Sequence, residues 1–224
     1  SLLVDLAVVF EFYERVEKKE QIFDKAINQI QENSSYQSVA DLGIAFEKVG
    51  AVDRALETYL KFEKISPRNI LSFHSKIAMI YNRQGKTHEM INTFFEMLLL
   101  NERFLSSVQN GLVNSIDFET QYKEKEILRK AIIQNIQTNP NKIVFVELLA
   151  WYYMINNDYE NAYIQIKSID KKLNLNGQKV IELGNTALNN KDFNIAIKCF
   201  DYIIKNSSSL EIKFEAKNKR LITF

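Results

Sequence analysis

YQSVADLGIAFEKVGAVDRALETYLKFEKISPRN, residues Tyr36 to Asn69, is the stretch whose reading decides the fold. It contains two amphipathic runs joined at Gly50 and closed by Pro67. Leu42 and Phe46 lie four apart and share one helix face. Gly43 and Ala55 lack bulk, so two helices folded back on each other can approach closely at those points. Gly50 permits the positive φ often needed just past a helix end. Pro67 donates no backbone hydrogen bond and disfavours helix in Ser66, so the second helix is expected to stop there.

The same pattern recurs on both sides. Upstream, Leu6-Ala7 match Leu42-Gly43, Phe10 matches Phe46, Phe23 matches Tyr59, and Ala26 lies three residues beyond Phe23. The pattern starts at the edge of a unit, so the native protein is expected to extend further upstream. Downstream, Ile77-Ala78, Tyr81, Gly85 and Phe94 fall in phase. Leu149-Ala150, Tyr153, Tyr159, Ala162 and Ile166 follow, then Leu183-Gly184, Phe193, Ala196 and Phe200. The unit between them is weak: 104–118 reads as a first helix and 126–140 as a second, closed by Pro140. Here the run ETQYKEKE lengthens the turn, and about four extra residues are expected in a surface loop or as one more turn of helix. The second-helix position falls at Phe23, Tyr59, Phe94, Ile132, Ile166 and Phe200, in steps of 36, 35, 38, 34 and 34. A generic helical bundle has the 3.6-residue period but no reason for this longer one.

A helix–turn–helix unit of this length, with these small and aromatic positions, resembles the tetratricopeptide repeat (TPR). Phe62, where the family usually has alanine, is the clear departure. The resemblance implies an all-α chain, a right-handed α-solenoid of about six such pairs. The repeats run approximately 1–35, 36–69, 70–104, 105–141, 142–176 and 177–209, with 210–224 as a further or capping helix, all in a single domain. It implies that neighbouring pairs stack over one continuous core, with the first helices on the concave side. Ligands of the family lie against that side. The corresponding residues here include Phe12, Ile44, Met79, Arg83, Trp151, Met154 and Ile155. Trp151 has two readings, ordinary packing between first helices or an aromatic anchor for a partner. The Lys/Asn/Arg set with which chaperone-binding members grip a terminal carboxylate is not in phase. The Lys/Asn/Ile-rich composition resembles large TPR proteins of bacterial cell envelopes, which implies a periplasmic or envelope location, with cytoplasm as the alternative.

Composition limits the rest. With 46% apolar and 25% charged residues and a formal charge of +1, the chain has the make-up of a globular or repeat protein and no overall basic character for nucleic acid. No apolar run is long enough for direct membrane insertion. The lone Cys199 forbids an internal disulfide and reads as a small buried residue beside Phe200. His74 and His88, the only histidines, have no Cys or carboxylate cluster at metal-ligand spacing and read as surface or rim residues. Asn33-Ser34-Ser35 and Asn206-Ser207-Ser208 fit a glycosylation pattern but read better as helix ends followed by an N-cap serine. No Walker loop, GxGxxG or HExxH is present. The sequence therefore points to no enzyme, cofactor or metal. It points to a scaffold for a protein or peptide partner, with self-association or a non-catalytic regulatory arm of a larger protein as the alternatives.

Overall fold

The computed structural model describes residues 2–66 and 71–223. Pro67 lies outside them. Every regular element among the described residues is helical, and consecutive helices pack as pairs, which makes the fold an all-α solenoid of TPR-like repeats. The chain divides into two compact units, Ser1–Phe104 and Leu105–Phe224.

The first unit holds α1 (Leu2–Phe12), α2 (Val16–Asn28), α3 (Tyr36–Lys48), α4 (Val52–Ile65), α5 (His74–Arg83) and α6 (Thr87–Leu100), followed by a 3-10 turn. Helices pair as α1 with α2, α3 with α4 and α5 with α6, and successive pairs touch through α1–α3, α2–α4 and α4–α5. The small residues sit where the pairs close. Ala7, Ala26, Ala55 and Ala78 are buried, and a β-carbon on Gly43 would lie 2.3 Å from the ring of Tyr59. Phe23 meets Phe46 edge to face, with centroids 5.0 Å apart. Phe62, the departure from the repeat pattern, is buried and packs edge to face on Phe73. Phe73 itself is stacked between Tyr36 and Tyr59, at 4.8 and 4.6 Å. Leu42 and Tyr81 are half-buried, Phe94 is buried, Phe10 is half-buried under Lys18, and Leu6 is exposed. Arg54 on α4 reaches back to Glu20 and Asp24 on α2 and also pairs with Glu57, which raises its already high pKa.

The second unit holds α7 (Leu105–Ser115), α8 (Tyr122–Thr138), α9 (Val144–Ile155), α10 (Tyr159–Leu173), α11 (Gln178–Asn189), α12 (Phe193–Asn206) and α13 (Leu210–Leu221). The pairs α9–α10 and α11–α12 repeat the hairpin of the first unit, whereas α7 and α8 are less closely apposed. Ala150, Ala162, Ala196 and Phe200 are buried, Tyr153 is half-buried, and a β-carbon on Gly184 would lie 2.8 Å from the ring of Phe200. Pro140 is exposed, two residues past the end of α8. Ser35 caps α3 as read from the sequence, accepting from Ser38 N–H, and Asn206 ends α12 as read. The cap of α13, however, is Ser209, one residue beyond the triplet, accepting from Ile212 N–H, and α2 ends at Asn28 rather than at Asn33.

Five turns within pairs share one backbone design. Their middle residues have positive φ: Glu14 57°, Gly50 75°, Gly85 70°, Asn157 57° and Lys191 64°. The next residue's N–H then bonds back to the carbonyl of Phe10, Phe46, Tyr81, Tyr153 or Ala187 at 2.8 to 2.9 Å. This is the Schellman closure, which satisfies helix-end carbonyls that would otherwise lack partners. The α7–α8 connection is different. Asp117 ties it together, accepting from Glu119 N–H at 2.9 Å and from the Thr120 hydroxyl. The run ETQYKEKE is a turn only over its first three residues. From Tyr122 onward it is helix, so α8 reaches 17 residues. Lys and Glu are good helix formers, and the four extra residues are accommodated mainly as one added turn.

Candidate functional site

Of the groove residues read from the sequence, four lie in the first unit on successive first helices. Phe12 on α1 is 82% exposed, Ile44 on α3 is half-buried, and Met79 on α5 is exposed. Arg83, also on α5, is committed across to α3, donating to Glu47 at 2.9 Å. Glu47 in turn accepts from the Tyr59 hydroxyl, a bond that ties the hairpin α3–α4 to the same carboxylate.

The other three lie in the second unit on α9. Trp151 and Met154 form part of the wall of a cavity of about 230 Å³ between α7, α9 and α11, floored by Ile166 and Ile169 of α10. Ala150 and Leu183 complete its apolar lining. Gln109, Glu147, Lys179 and Glu182 supply its polar groups, and Lys179 closes an ion pair with Glu147 across α9 and α11. Ile155 is half-buried and is not part of the lining. Trp151 is half-buried. The indole packs edge to face on Phe118, with centroids 5.8 Å apart, and it is also part of the cavity wall.

Phe118 and Lys179 were not legible as contributors. Phe118 belongs to the irregular α7–α8 connection, where the repeat register gives no guide. Lys179 stands 32 residues after Glu147, close to the repeat stride, and that spacing was the available signal.

His74 was read as a surface or rim residue, and the structure corrects this. It is buried at the start of α5, with Nδ1 facing Glu63 of α4 and Nε2 facing Glu96 of α6. Glu63 also accepts from the Phe73 N–H at 2.7 Å. Burial alone would lower the His74 pKa, but the bonds and charges of Glu63 and then Glu96 outweigh it, so the pKa is raised. Both ring nitrogens are occupied by carboxylates, an arrangement for an ion-paired imidazolium rather than a metal ligand. Among the described residues no group of three or more His, Cys, Asp or Glu is arranged to hold a metal ion, and no helix is long and apolar enough to cross a membrane.

No protein-family model matches the chain. It is similar to a TPR repeat-containing protein of Methanocaldococcus jannaschii, 25% identical over 146 residues, a match that covers 59% of this chain and 24% of that protein. The chain thus spans about a quarter of that relative's length. The likeness and the helical hairpins together fit a tetratricopeptide-repeat protein.

Proposed function

We propose that this chain is a protein-interaction scaffold that takes an apolar side chain of a peptide or protein partner into the cavity beside Trp151. A TPR relative and a repeat fold suggest a non-catalytic interaction scaffold in general terms. The observation that carries the finer reading is the cavity itself. Ala150, Trp151, Met154 and Leu183 give it apolar walls, and Gln109, Glu147, Lys179 and Glu182 add polar groups suited to a peptide backbone. A large, half-buried aromatic beside a mostly apolar pocket is the usual place for binding energy to concentrate.

Trp151 is the single tryptophan, so its emission reports on the site alone. Short peptides carrying Leu, Phe or Met should shift that emission saturably. Calorimetry on Met154→Ala and Trp151→Ala should give affinities about tenfold weaker or worse, as loss of a hot-spot side chain does. Binding that is indifferent to both substitutions would overturn the reading.

A second reading, self-association, is favoured by the exposed apolar residues of α1 and α13, among them Leu2 at 89% and Leu210 at 83%. Sedimentation across a concentration series tests it, since a strict monomer at all concentrations excludes it.

A further inference from the structure

The second helices α10 and α12 of the second unit enclose a groove of about 540 Å³ that is separate from the Trp151 cavity. Its two carboxylates are already engaged. Glu160 pairs with Lys198 at 2.6 Å, and Asp201 accepts from Arg220 of α13. Three lysines remain, Lys167 and Lys171 on α10 and Lys205 on α12, with no carboxylate within 4.0 Å among the described residues. Lys167 is held by rings instead. Its Nζ lies 5.5 Å from the centroid of Tyr163 and 5.6 Å from that of Tyr202. Those rings meet edge to face, and the Tyr202 hydroxyl is fixed by the buried Asp170 at 3.0 Å. The ammonium is therefore positioned without an anion.

On the comparable surface of the first unit, Lys25 and Lys64 near the helix C-termini also have no carboxylate within 4.0 Å among the described residues, but the cations further in have partners. Between α2 and α4, Arg54 is satisfied by three carboxylates, and Lys61 donates to the Ile27 carbonyl and the Asn28 side chain. Lysines near helix C-termini offset the helix dipole, which accounts for Lys171 and Lys205. It does not account for Lys167, which lies inside α10 and four residues from the like charge of Lys171, a repulsive spacing. An anion lying along the groove would relieve that repulsion and meet all three ammonium groups.

We propose that the α10–α12 groove binds an acidic peptide segment of a protein partner, with its carboxylates on Lys167, Lys171 and Lys205. The carboxylates of Glu160 and Asp201 at the same groove, and a chain net charge of only +1, disfavour a nucleic-acid backbone as the occupant. The charge-assisted bonds make the interaction salt-sensitive.

The test uses the full chain and a fluorescein-labelled hexaglutamate peptide, read by anisotropy, with hexaglutamine and an oligothymidine as comparison probes. Hexaglutamate should bind saturably, weaken with added salt, and lose at least tenfold in affinity in Lys171→Glu/Lys205→Glu. Both positions are exposed, so the variant should fold, and circular dichroism checks this. Lys123→Glu/Lys130→Glu, which changes net charge equally on the exposed face of α8, should bind as the parent does. Absence of hexaglutamate binding, equal binding of hexaglutamine, equal loss in the α8 variant, or tighter binding of the oligothymidine would each overturn the proposal. Trp151→Ala should leave this binding unchanged, which separates it from the cavity.

Discussion

Glu63 and His74 form a buried ion pair: Oε2 lies 2.9 Å from Nδ1, and both side chains are 7% exposed. The pair joins the end of α4 to the start of α5. Glu96 completes it from α6 at 3.2 Å, so three helices converge on one imidazole. The raised pKa of His74 fixes the sign of its pH dependence. A group that binds its proton more tightly when folded contributes its full stability below the unfolded value, near 6.5, and loses it as pH rises through the folded value. The unfolding midpoint of the parent should therefore fall as pH is raised from about 6 through the neutral range. His74→Gln should flatten that dependence. Glu63→Ala leaves His74 with Glu96 alone and the Phe73 N–H without its acceptor, and should cost about 1–3 kcal/mol in denaturant unfolding. A pH profile identical for parent and His74→Gln would refute this account.

Gly43 and Gly50 test two different costs of adding one methyl group. At Gly43 the new β-carbon would run into the Tyr59 ring at 2.3 Å, whereas at Gly50 nothing lies within 4 Å and only the φ of 75° resists. Gly43→Ala should destabilise by about 1–3 kcal/mol through overpacking. Gly50→Ala should cost about 1–2 kcal/mol through left-handed backbone strain. The two are separable by a double-mutant cycle with Tyr59→Leu, which should couple to Gly43→Ala and add simply to Gly50→Ala.

The fold could be read in the sequence wherever the repeat stride was intact. Phe23, Tyr59, Phe94, Ile132, Ile166 and Phe200 are all buried at the same place in successive second helices, and all but Ile132, whose paired helix carries Leu112, face a first helix with alanine or glycine at the matching position. Legibility failed where contacts ignore that stride. His74 finds Glu63 and Glu96 at separations of 11 and 22 residues. Phe73 precedes a helix and looked unremarkable, yet Tyr36 and Tyr59 converge on it from two other helices. The Trp151 residue was visible as a candidate, but its cavity depends on Leu105 and Gln109, which come from the least regular repeat. The Lys167 site was invisible, because its meaning lies in which neighbouring charges are already paired.

Lys191 occupies the turn position that glycine takes at residues 50 and 85, with φ of 64°. A residue with a β-carbon pays about 1–2 kcal/mol there. Lys191→Gly should raise stability by up to about 1 kcal/mol, since the greater freedom of glycine in the unfolded chain offsets part of the relief. Asn157 holds the same conformation, which asparagine tolerates, and its Oδ1 accepts from the Tyr159 hydroxyl at 2.8 Å, so Asn157→Gly should bring no gain and lower stability by about 1 kcal/mol. Denaturation midpoints of the two variants against the parent measure the difference. A Lys191→Gly protein less stable than the parent would contradict the strain argument.

Cys199 gives a direct readout of when α12 opens. The thiol is fully buried, and its β-carbon would be only 3.0 Å from a methyl group added at Gly184, so reagents have no path to it in the closed hairpin. Burial, reinforced by the charges of Asp192 and Glu160, pushes its pKa up to about 12, so the reactive thiolate is scarce while the hairpin is closed. At pH 8 the native protein should resist a disulfide-exchange reagent, and labelling should rise only with denaturant, in step with the loss of helical signal. The raised pKa also has a stability consequence. Between pH 9.0, where the unfolded thiol ionises, and about 12, the folded state keeps a proton that the unfolded state releases. Stability should therefore decline through that interval, and Cys199→Ala should remove this component of the decline. Rapid native labelling at pH 8 would mean that the α11–α12 hairpin opens far more readily than its packing allows.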